Sequence, residues 1–426
     1  MKAMTILVFN SGSSSLKFSF FRIESSFFDE DINPESFTET LLNESAPAEF
    51  FQFKTLLEGE IELFNNKDKN NFYVKDTNNA TIHSATIGLA NHTEAALHII
   101  RYITGFETPM PDAIAHRVVH GGSNLHQHCL INDKVMRELA LVTAFAPLHN
   151  QAELEIIHFT RNTFPSLPQI ACFDTTFHAH MPDVAKVLPI VKELQLFGIR
   201  RYGFHGLSCE SIVSQLNNAT HLRIPKRLII AHLGNGASVT AVKKGQSVDT
   251  SMGLTPSGGV MMGTRCGDID PGVLIYLMRE KKYDCDALEA LINHQSGLLG
   301  VSGLSSDMRV LHAAASKNPN AQLAIELFCY LVAKQIGAMA IALNGIDALV
   351  FTGGIGEHDV GVRQKICNQL SCFKIAIDDQ KNQLAIVNKI HTISESSASC
   401  AVCVVASQEN AQIAWHAAQL LNAVSA

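Results

Sequence analysis

The amino-acid sequence predicts an α/β protein made of two similar halves with a cleft between them. Three observations point there. β-rich stretches alternate with long helical ones along the chain. The stretch "ILVFNSGSSSLKFSFF" (6–21) runs from an apolar strand through a Gly/Ser turn into a second apolar strand. "RLIIAHLGNGASVTAVKKG" (227–245) repeats that layout half a chain later, and a third strand-to-glycine turn follows in "DALVFTGGIGEHD" (347–359).

Taken in order, the elements carry their own reasons. Ile6 to Phe9 is a buried-type strand, far too short for the apolar core of a secretory leader. Setting Asn10-Ser11-Gly12 against His232-Leu233-Gly234 keeps the flanking strands of the two copies in register. Residues 27–54 are acidic and weakly periodic, which suits a surface excursion of the first half or a disordered segment. Across 322–343, Gln322, Glu326 and Lys334 place one polar stripe on an otherwise apolar helix closed by Asn344-Gly345. That is the pattern of a core helix, and no stretch is read as a membrane span. "CAVCVVA" is a last strand, leading through Ser407-Gln408-Glu409 to a terminal helix from Asn410. The expected division is a first domain of 1–180 with 410–426 and a second, nucleotide-binding domain of 181–409.

Composition bounds the function. The 426 residues are 46% hydrophobic and 17% charged, with a net charge of −7. A duplex nucleic-acid surface needs a basic face, so nucleic acid is not an expected partner, although a local cationic pocket is compatible. The ten cysteines are scattered. Cys400 and Cys403, at odd spacing in a strand, are expected to point to opposite faces, which argues against a shared metal. Reduced thiols in a cytoplasmic protein are the simpler reading.

The glycine turns suggest phosphate chemistry. Glycine lets backbone N–H groups approach an anion, serine hydroxyls add donors, and Lys17 supplies a point charge. The same residues also suit a plain hairpin turn, and "NSGSSSLK" alone does not choose between the two. The Walker A pattern is absent, and no helix is expected straight after these glycines.

The choice is made by order. "FNSGSSSLK", "HRVVHGG", "PLHN", "FDTTFH", "RRYGFHG", "HLGNGAS", "DTSMGLTP", "MMGTRCGDIDPG", "SSDMR" and "FTGGIGE" follow one another from residue 9 to 357. Together they resemble the acetate kinase family (acetokinases, which include propionate kinases). The resemblance implies two duplicated domains of the ribonuclease H-like type, shared with actin, hexokinase and the heat-shock ATPases, around an interdomain active site. It also implies Mg²⁺-dependent, reversible, direct in-line transfer of the ATP γ-phosphoryl group to acetate, giving acetyl phosphate and ADP. Mn²⁺ would substitute for Mg²⁺, and a cytoplasmic homodimer with no membrane partner is expected.

The physical demand fits that chemistry. Two unit charges about 4 Å apart repel by ~4 kcal/mol at an effective dielectric of 20, so cations must line the approach of a carboxylate to a triphosphate. By resemblance, Arg117 binds the carboxylate and Arg265 meets the transferring phosphoryl group, with His205 donating to the same oxygens. Asp174 orients Arg117 or the metal, and His149 has an orienting role. Val119, Leu148, Phe204 and Pro256 form the small apolar acceptor pocket. ATP would be held by Ser13, Ser15 and Lys17, by His232, Leu233, Gly234, Asn235 and Gly236, and by Asp307, Met308 and Arg309. Gly354, Ile355, Gly356, Glu357 and His358 complete that set. Asn10 and Glu409 would hold the metal, which requires the C-terminal segment to pack against the first strand. Glu409 equally suits a first-turn helix acid favoured by the dipole.

The sequence departs from the family pattern at Gln151, Leu207 and Cys209, at His358, and in "TPSGGVMMG", which lacks the usual acidic residue. None of these removes a proposed cation or metal ligand. Two alternatives stand beside acetate kinase: a propionate kinase, and a non-catalytic actin-like nucleotide-binding protein. A metallohydrolase built on "HQH" (126–128) or "HAH" (178–180) lacks matched acidic ligands.

Overall fold

The computed structural model describes residues 3–12, 15–25, 51–62, 70–105, 109–145, 147–219, 225–385 and 390–425. The chain forms two compact units, Met1–Thr176 with Gln408–Ala426, and Phe177–Ser407.

The first unit is built on an eight-stranded sheet. Its strands are β1 (Met4–Ser11), β2 (Ser15–Ser25), β3 (Phe51–Glu62), β4 (Asn70–Lys75), β5 (Thr81–Ile87), β6 (Ala113–Val118), β7 (Cys129–Leu130) and β8 (Gln169–Phe173). They lie in the order β5-β4-β3-β2-β1-β6-β8-β7. β1 pairs antiparallel with β2 and parallel with β6, and β6 pairs parallel with β8. Every residue of β1 after Met4 is buried, because helices cover both faces at the sheet centre. Such a strand reads as an unbroken apolar run, here Ile6 to Phe9. On one face, Phe9, Phe18, Phe20 and Phe72 pack with Ile99 and Ile103 of helix His92–Gly105. On the other, helix Glu409–Ser425 lies against β1, β6 and β8, and Cys172 Sγ of β8 meets the carbonyl of Ile413 at 3.8 Å.

The second unit repeats the plan. Its strands are β9 (Arg227–Leu233), β10 (Ala237–Lys243), β11 (Gln246–Thr250), β12 (Ala348–Thr352), β13 (His391–Thr392) and β14 (Ala401–Val404), in the order β11-β10-β9-β12-β14-β13. β9 pairs antiparallel with β10 and parallel with β12, and β12 pairs parallel with β14. Strand for strand, β3-β2-β1-β6-β8 matches β11-β10-β9-β12-β14 in order and direction. The two Gly-rich turns singled out in the sequence therefore occupy the same place in each copy, at the C-terminal end of the central strand. Cys209, Ile212 and Leu216 of helix Gly206–Asn218 pack on Leu228, Ile230 and Val350. Helix Pro319–Ala342 packs near β9 and β10, with Phe328, Val332 and Ile336 buried.

Several expectations change. Most of the 27–54 excursion lies outside the described residues, but Phe51–Lys54 belong to β3, paired with Arg22 to Ser25 of β2. The glycine turn read after the third strand is helical: β12 runs straight into a short helix, Gly353–His358. Gly353 makes that junction at φ 77°, where an added Cβ would stand 2.8 Å from the Leu233 carbonyl oxygen. "HAH" begins in a 3-10 turn, and His178 is taken up by Ser247 Oγ (2.8 Å) and the Phe204 carbonyl (3.0 Å). Helix Pro319–Ala342 is, by length and hydropathy alone, apolar enough to cross a membrane. Half of that apolar window is buried inside the unit, and Glu326 and Lys334 of its polar stripe are exposed. Asn344 (φ 56°) and Gly345 (φ 119°) close it.

Candidate active site

In the first unit the charged residues gather at the C-terminal ends of the central strands. The parallel pairing of β6 with β8 sets Arg117 opposite Cys172 and Val118 opposite Phe173, so Arg117 and Asp174 emerge side by side. Arg117 Nε donates to both Asp174 oxygens at 3.2 and 3.1 Å, and Nη2 donates to Oδ2. The pair is nearly dry, with side chains 13% and 1% exposed. Arg117 Nη1 donates to Asn10 Oδ1 (3.3 Å) and to the Ser11 carbonyl (3.2 Å), which ties it to the end of β1. Burial works against the Arg117 charge, but Asp174 and Glu409 outweigh it and raise its pKa, so the guanidinium is a permanent cation.

Asn10 faces two ways. Its amide nitrogen donates to Glu409 Oε2 (3.1 Å) and Asn410 Oδ1 (3.0 Å), while its oxygen accepts from Arg117. Asn410 in turn donates to Ser19 Oγ at 2.8 Å. The C-terminal helix thus brings Glu409 to the first strand, as a shared metal site requires. Carboxylate and amide oxygens are the hard donors that Mg²⁺ takes, so the residue types fit the ion, although Asn10 here turns its nitrogen to Glu409 and its oxygen to Arg117. Lys17 lies opposite Asn10 across the β1–β2 pair and is exposed. Gly12 N–H donates to the Ser15 carbonyl (2.8 Å), closing the hairpin, and the Gly12 carbonyl meets His92 Nε2 at 3.3 Å. Ser13 lies outside the described residues, as do the side chains of Leu148 and His149.

In the second unit His205 caps helix Gly206–Asn218 in the left-handed region, φ 58°, a conformation uncommon outside glycine. Its Nδ1 pairs with Ser238 Oγ at 2.9 Å, and its ring stacks on His232 with centroids 4.1 Å apart. His232 Nδ1 is held by Ser208 Oγ at 2.8 Å. The other nitrogen of His205 faces Gly236, where an added Cβ would stand 3.2 Å from His205 Nε2 and 3.8 Å from Arg265 Nη1. The glycine turn between β9 and β10 therefore leaves room at the point where imidazole and guanidinium converge. Arg265 Nη1 also donates to the Pro256 carbonyl at 3.2 Å. Phe204 is buried and accepts from His178 through its carbonyl.

The remaining nucleotide candidates differ in freedom. Leu233 is buried, Gly234 N–H donates to the Gly236 carbonyl (2.9 Å), and Asn235 is exposed. Asp307 caps helix Met308–Ala314 through Arg309 N–H (2.8 Å) and pairs with the Arg309 guanidinium at 2.6 Å, while Met308 is buried. Gly354 has open space at its Cα. Glu357 turns inward: its Oε1 accepts from Gly353 N–H (2.9 Å) and Ser407 N–H (3.0 Å). Arg363, fully buried, donates to the carbonyls of Gly356 and Glu357 at 2.9 Å. His358 Nδ1 pairs with the Gly354 carbonyl at 3.0 Å. So Gly354 to His358 is fixed from within, and only part of it is available to a ligand.

The sequence reading left out Ser208, Ser238, Arg363 and Glu153, and took His178 only as part of a rival metal motif. Ser208, Ser238 and Glu153 bond partners 24 to 34 residues away, which no local pattern reveals.

The acetokinase family matches over residues 5–415. The chain belongs to this family. Its activity is phosphoryl transfer between ATP and acetate, as a phosphotransferase with a carboxyl group as acceptor. Among curated acetokinases it is similar to the acetate kinase of Rhodopseudomonas palustris, 37% identical over 96% of this chain and 97% of the relative. The acetate kinase of Protochlamydia amoebophila is 46% identical over 71% of this chain and 75% of its own length. Among solved structures, a propionate kinase from Francisella tularensis superposes with a TM-score of 0.82 at 35% identity, covering 97% of this chain and 98% of its own. Acetate kinase from Porphyromonas gingivalis gives 0.80 at 32% identity, covering 98% and 100%. These likenesses, with the duplicated sheets, establish the two-domain acetokinase fold.

Proposed function

We propose that this acetokinase moves the γ-phosphoryl group of ATP directly to acetate, with Arg117 receiving the acceptor carboxylate and Arg265 and His205 receiving the phosphoryl oxygens. The observation that carries the reading is the Arg117–Asp174 pair, dry and anchored to two strand ends. A guanidinium fixed this way pays little entropy when it meets a carboxylate. Acetate is ionised at neutral pH and needs no base, so the residues act by placing charge and holding geometry. Asp174 orients Arg117 and takes no proton. Ser238 holds one nitrogen of His205, leaving the other toward the Gly236 turn.

Mg²⁺, when bound, would offset phosphate charge, and Glu409 and Asn10 are the residues that would hold it. Lys17 and Ser15 on the first hairpin and His232 to Gly236 on the second suit phosphates, and Ser13 is proposed with them from the sequence motif alone. Asp307 to Arg309 and Gly354 to His358 suit the nucleoside. By family resemblance, Val119, Leu148, Phe204 and Pro256 would meet the alkyl group of a small acceptor. A methylene in such a pocket is worth only ~1–3 kcal/mol, so propionate is a poorer substrate and not an excluded one. The proposed domains are 1–180 with 410–426, and 181–409.

A homodimer is proposed as well. In the second unit Val184, Leu196 and Phe197 are 91, 87 and 70% exposed, and helix Pro271–Glu280 buries none of its residues. Apolar surface of this extent is typical of association sites. A reduced, cytoplasmic setting agrees with ten free cysteines.

The test uses purified protein, ATP-Mg²⁺ and acetate, propionate or butyrate, with hydroxylamine trapping of the acyl phosphate. Acetate should give the highest kcat/KM. A tenfold preference for propionate would instead identify a propionate kinase, and ATP binding without any trapped hydroxamate would leave only a nucleotide-binding module.

A further inference from the structure

Helix Pro147–Thr163 runs beside the strand end that carries Arg117. Two of its residues, three apart and so on one helix face, reach over to the backbone that follows Arg117. Glu153 Oε2 accepts the Val119 N–H at 3.0 Å, and Asn150 Nδ2 donates to the His120 carbonyl at 3.1 Å. The His120 ring bends back to accept the Gly122 N–H on Nδ1 at 2.9 Å, which shapes the turn that follows. All of these groups are buried: Asn150 1%, Glu153 2%, Val119 2% and His120 0% exposed. Beyond Val118, which ends β6, the chain has left the sheet, so ladder hydrogen bonds no longer hold Val119.

We infer that Asn150 and Glu153 form a two-point clamp that fixes the acceptor-binding segment Arg117–His120, and that Glu153 is a positioning residue for acetate affinity. The inference rests on the reading of Arg117 and Val119 as acceptor-binding residues.

Three features support it. A buried carboxyl is costly and persists where it is bonded, and the bond here is to the backbone of a pocket residue. Glu153 Oε1 and Asn150 Oδ1 have no hydrogen-bond partner among the described residues, so the helix spends two buried polar groups on this one grip. Burial pushes the Glu153 carboxyl up to about 8, with Arg117 opposing and Asp174 adding to the shift. Near neutrality it is therefore mostly uncharged, and the clamp places no second anion beside Arg117 to compete with an incoming carboxylate.

The test measures KM for acetate and for ATP in Glu153→Ala, Glu153→Gln and Arg117→Ala, with thermal melts on each. Glutamine keeps an acceptor oxygen for Val119 and mimics the neutral acid. The clamp predicts a roughly tenfold or larger rise in acetate KM for Glu153→Ala, with ATP KM within about twofold, and recovery to within about threefold for Glu153→Gln. Acetate KM unchanged in Glu153→Ala, or glutamine as damaging as alanine, overturns the clamp. So does an equal rise in both KM values with a lowered melting point, which marks a purely structural residue. Arg117→Ala separates the two readings. If it raises acetate KM while Glu153→Ala does not, only the clamp fails; if neither moves it, the acceptor-site reading fails and takes the clamp with it.

Discussion

Asp174→Asn tests the first-unit geometry most sharply. Asp174 takes three hydrogen bonds from Arg117, and both side chains are nearly dry. Removing one partner of a buried ion pair typically costs 3–5 kcal/mol, because the other charge is stranded. Asparagine keeps one acceptor but sets an N–H₂ group against a guanidinium N–H, so the low end, about 3 kcal/mol, applies. For a unit of this size that corresponds to a melting point lowered by about 6–12 °C. Arg117 would also lose its orientation, and acetate KM should rise at least about tenfold while ATP KM stays near its original value. Circular dichroism melts and the hydroxamate assay read the two effects. Pairing the change with Arg117→Ala should recover part of the lost stability, since the stranded charge is then gone. A melting point shifted by less than about 2 °C, with acetate KM unchanged, would refute the claim that this pair is buried, coupled and acceptor-facing.

Other outcomes follow from the same geometry. Gly236→Ala inserts a methyl 3.2 Å from His205 Nε2 and 3.8 Å from Arg265 Nη1, and His205 is pinned by Ser238 and His232. Displacement by a few tenths of an ångström should lower kcat by roughly 10–100-fold with the melting point little changed, which steady-state kinetics and a melt can check. Each unit also holds a buried histidine, His116 and His178, whose pKa burial lowers to about 4. The unfolded chain binds their protons more readily, so the stability they contribute is present above pH 6.5 and lost as pH falls toward 4. Denaturant titrations should show about 1.4 kcal/mol lost per histidine per pH unit across that window, and stability flat from pH 7 to 5 would contradict it.

Much of the fold was legible because burial on both faces writes itself as composition. Ile6 to Phe9 and "RLIIAHL" could hardly be anything but central strands, and the repeated strand-turn-strand announced the duplication that the two sheets share. Glycine punctuation was less decisive. Gly353-Gly354 reads as a turn from sequence, yet here the positive φ of Gly353 launches a helix whose acid, Glu357, caps its own first N–H. The start of β3 was hidden because Phe51 to Lys54 continue a polar, weakly periodic stretch, and only pairing with β2 defines them.

The site was legible as a set of residue types and not as an arrangement. Arg117 and Asp174 lie far apart in the chain and meet through the register of β6 and β8, a long-range fact that no local pattern contains. Asn10 and Glu409 stand at opposite chain ends and are joined by the packing of the terminal helix. Glu153 left no mark because an acid on a helix ordinarily faces water. Its burial is visible only once the helix is seated against the strand end.

The most direct measurement compares initial rates of hydroxamate formation from acetate and ATP-Mg²⁺ for the wild-type protein and Arg265→Ala. If guanidinium and imidazole groups neutralise the transferring phosphoryl group, kcat should fall by roughly 10²–10⁵-fold with ATP affinity far less changed. A loss of about tenfold or less in kcat would remove Arg265 from the transition state and contradict the account.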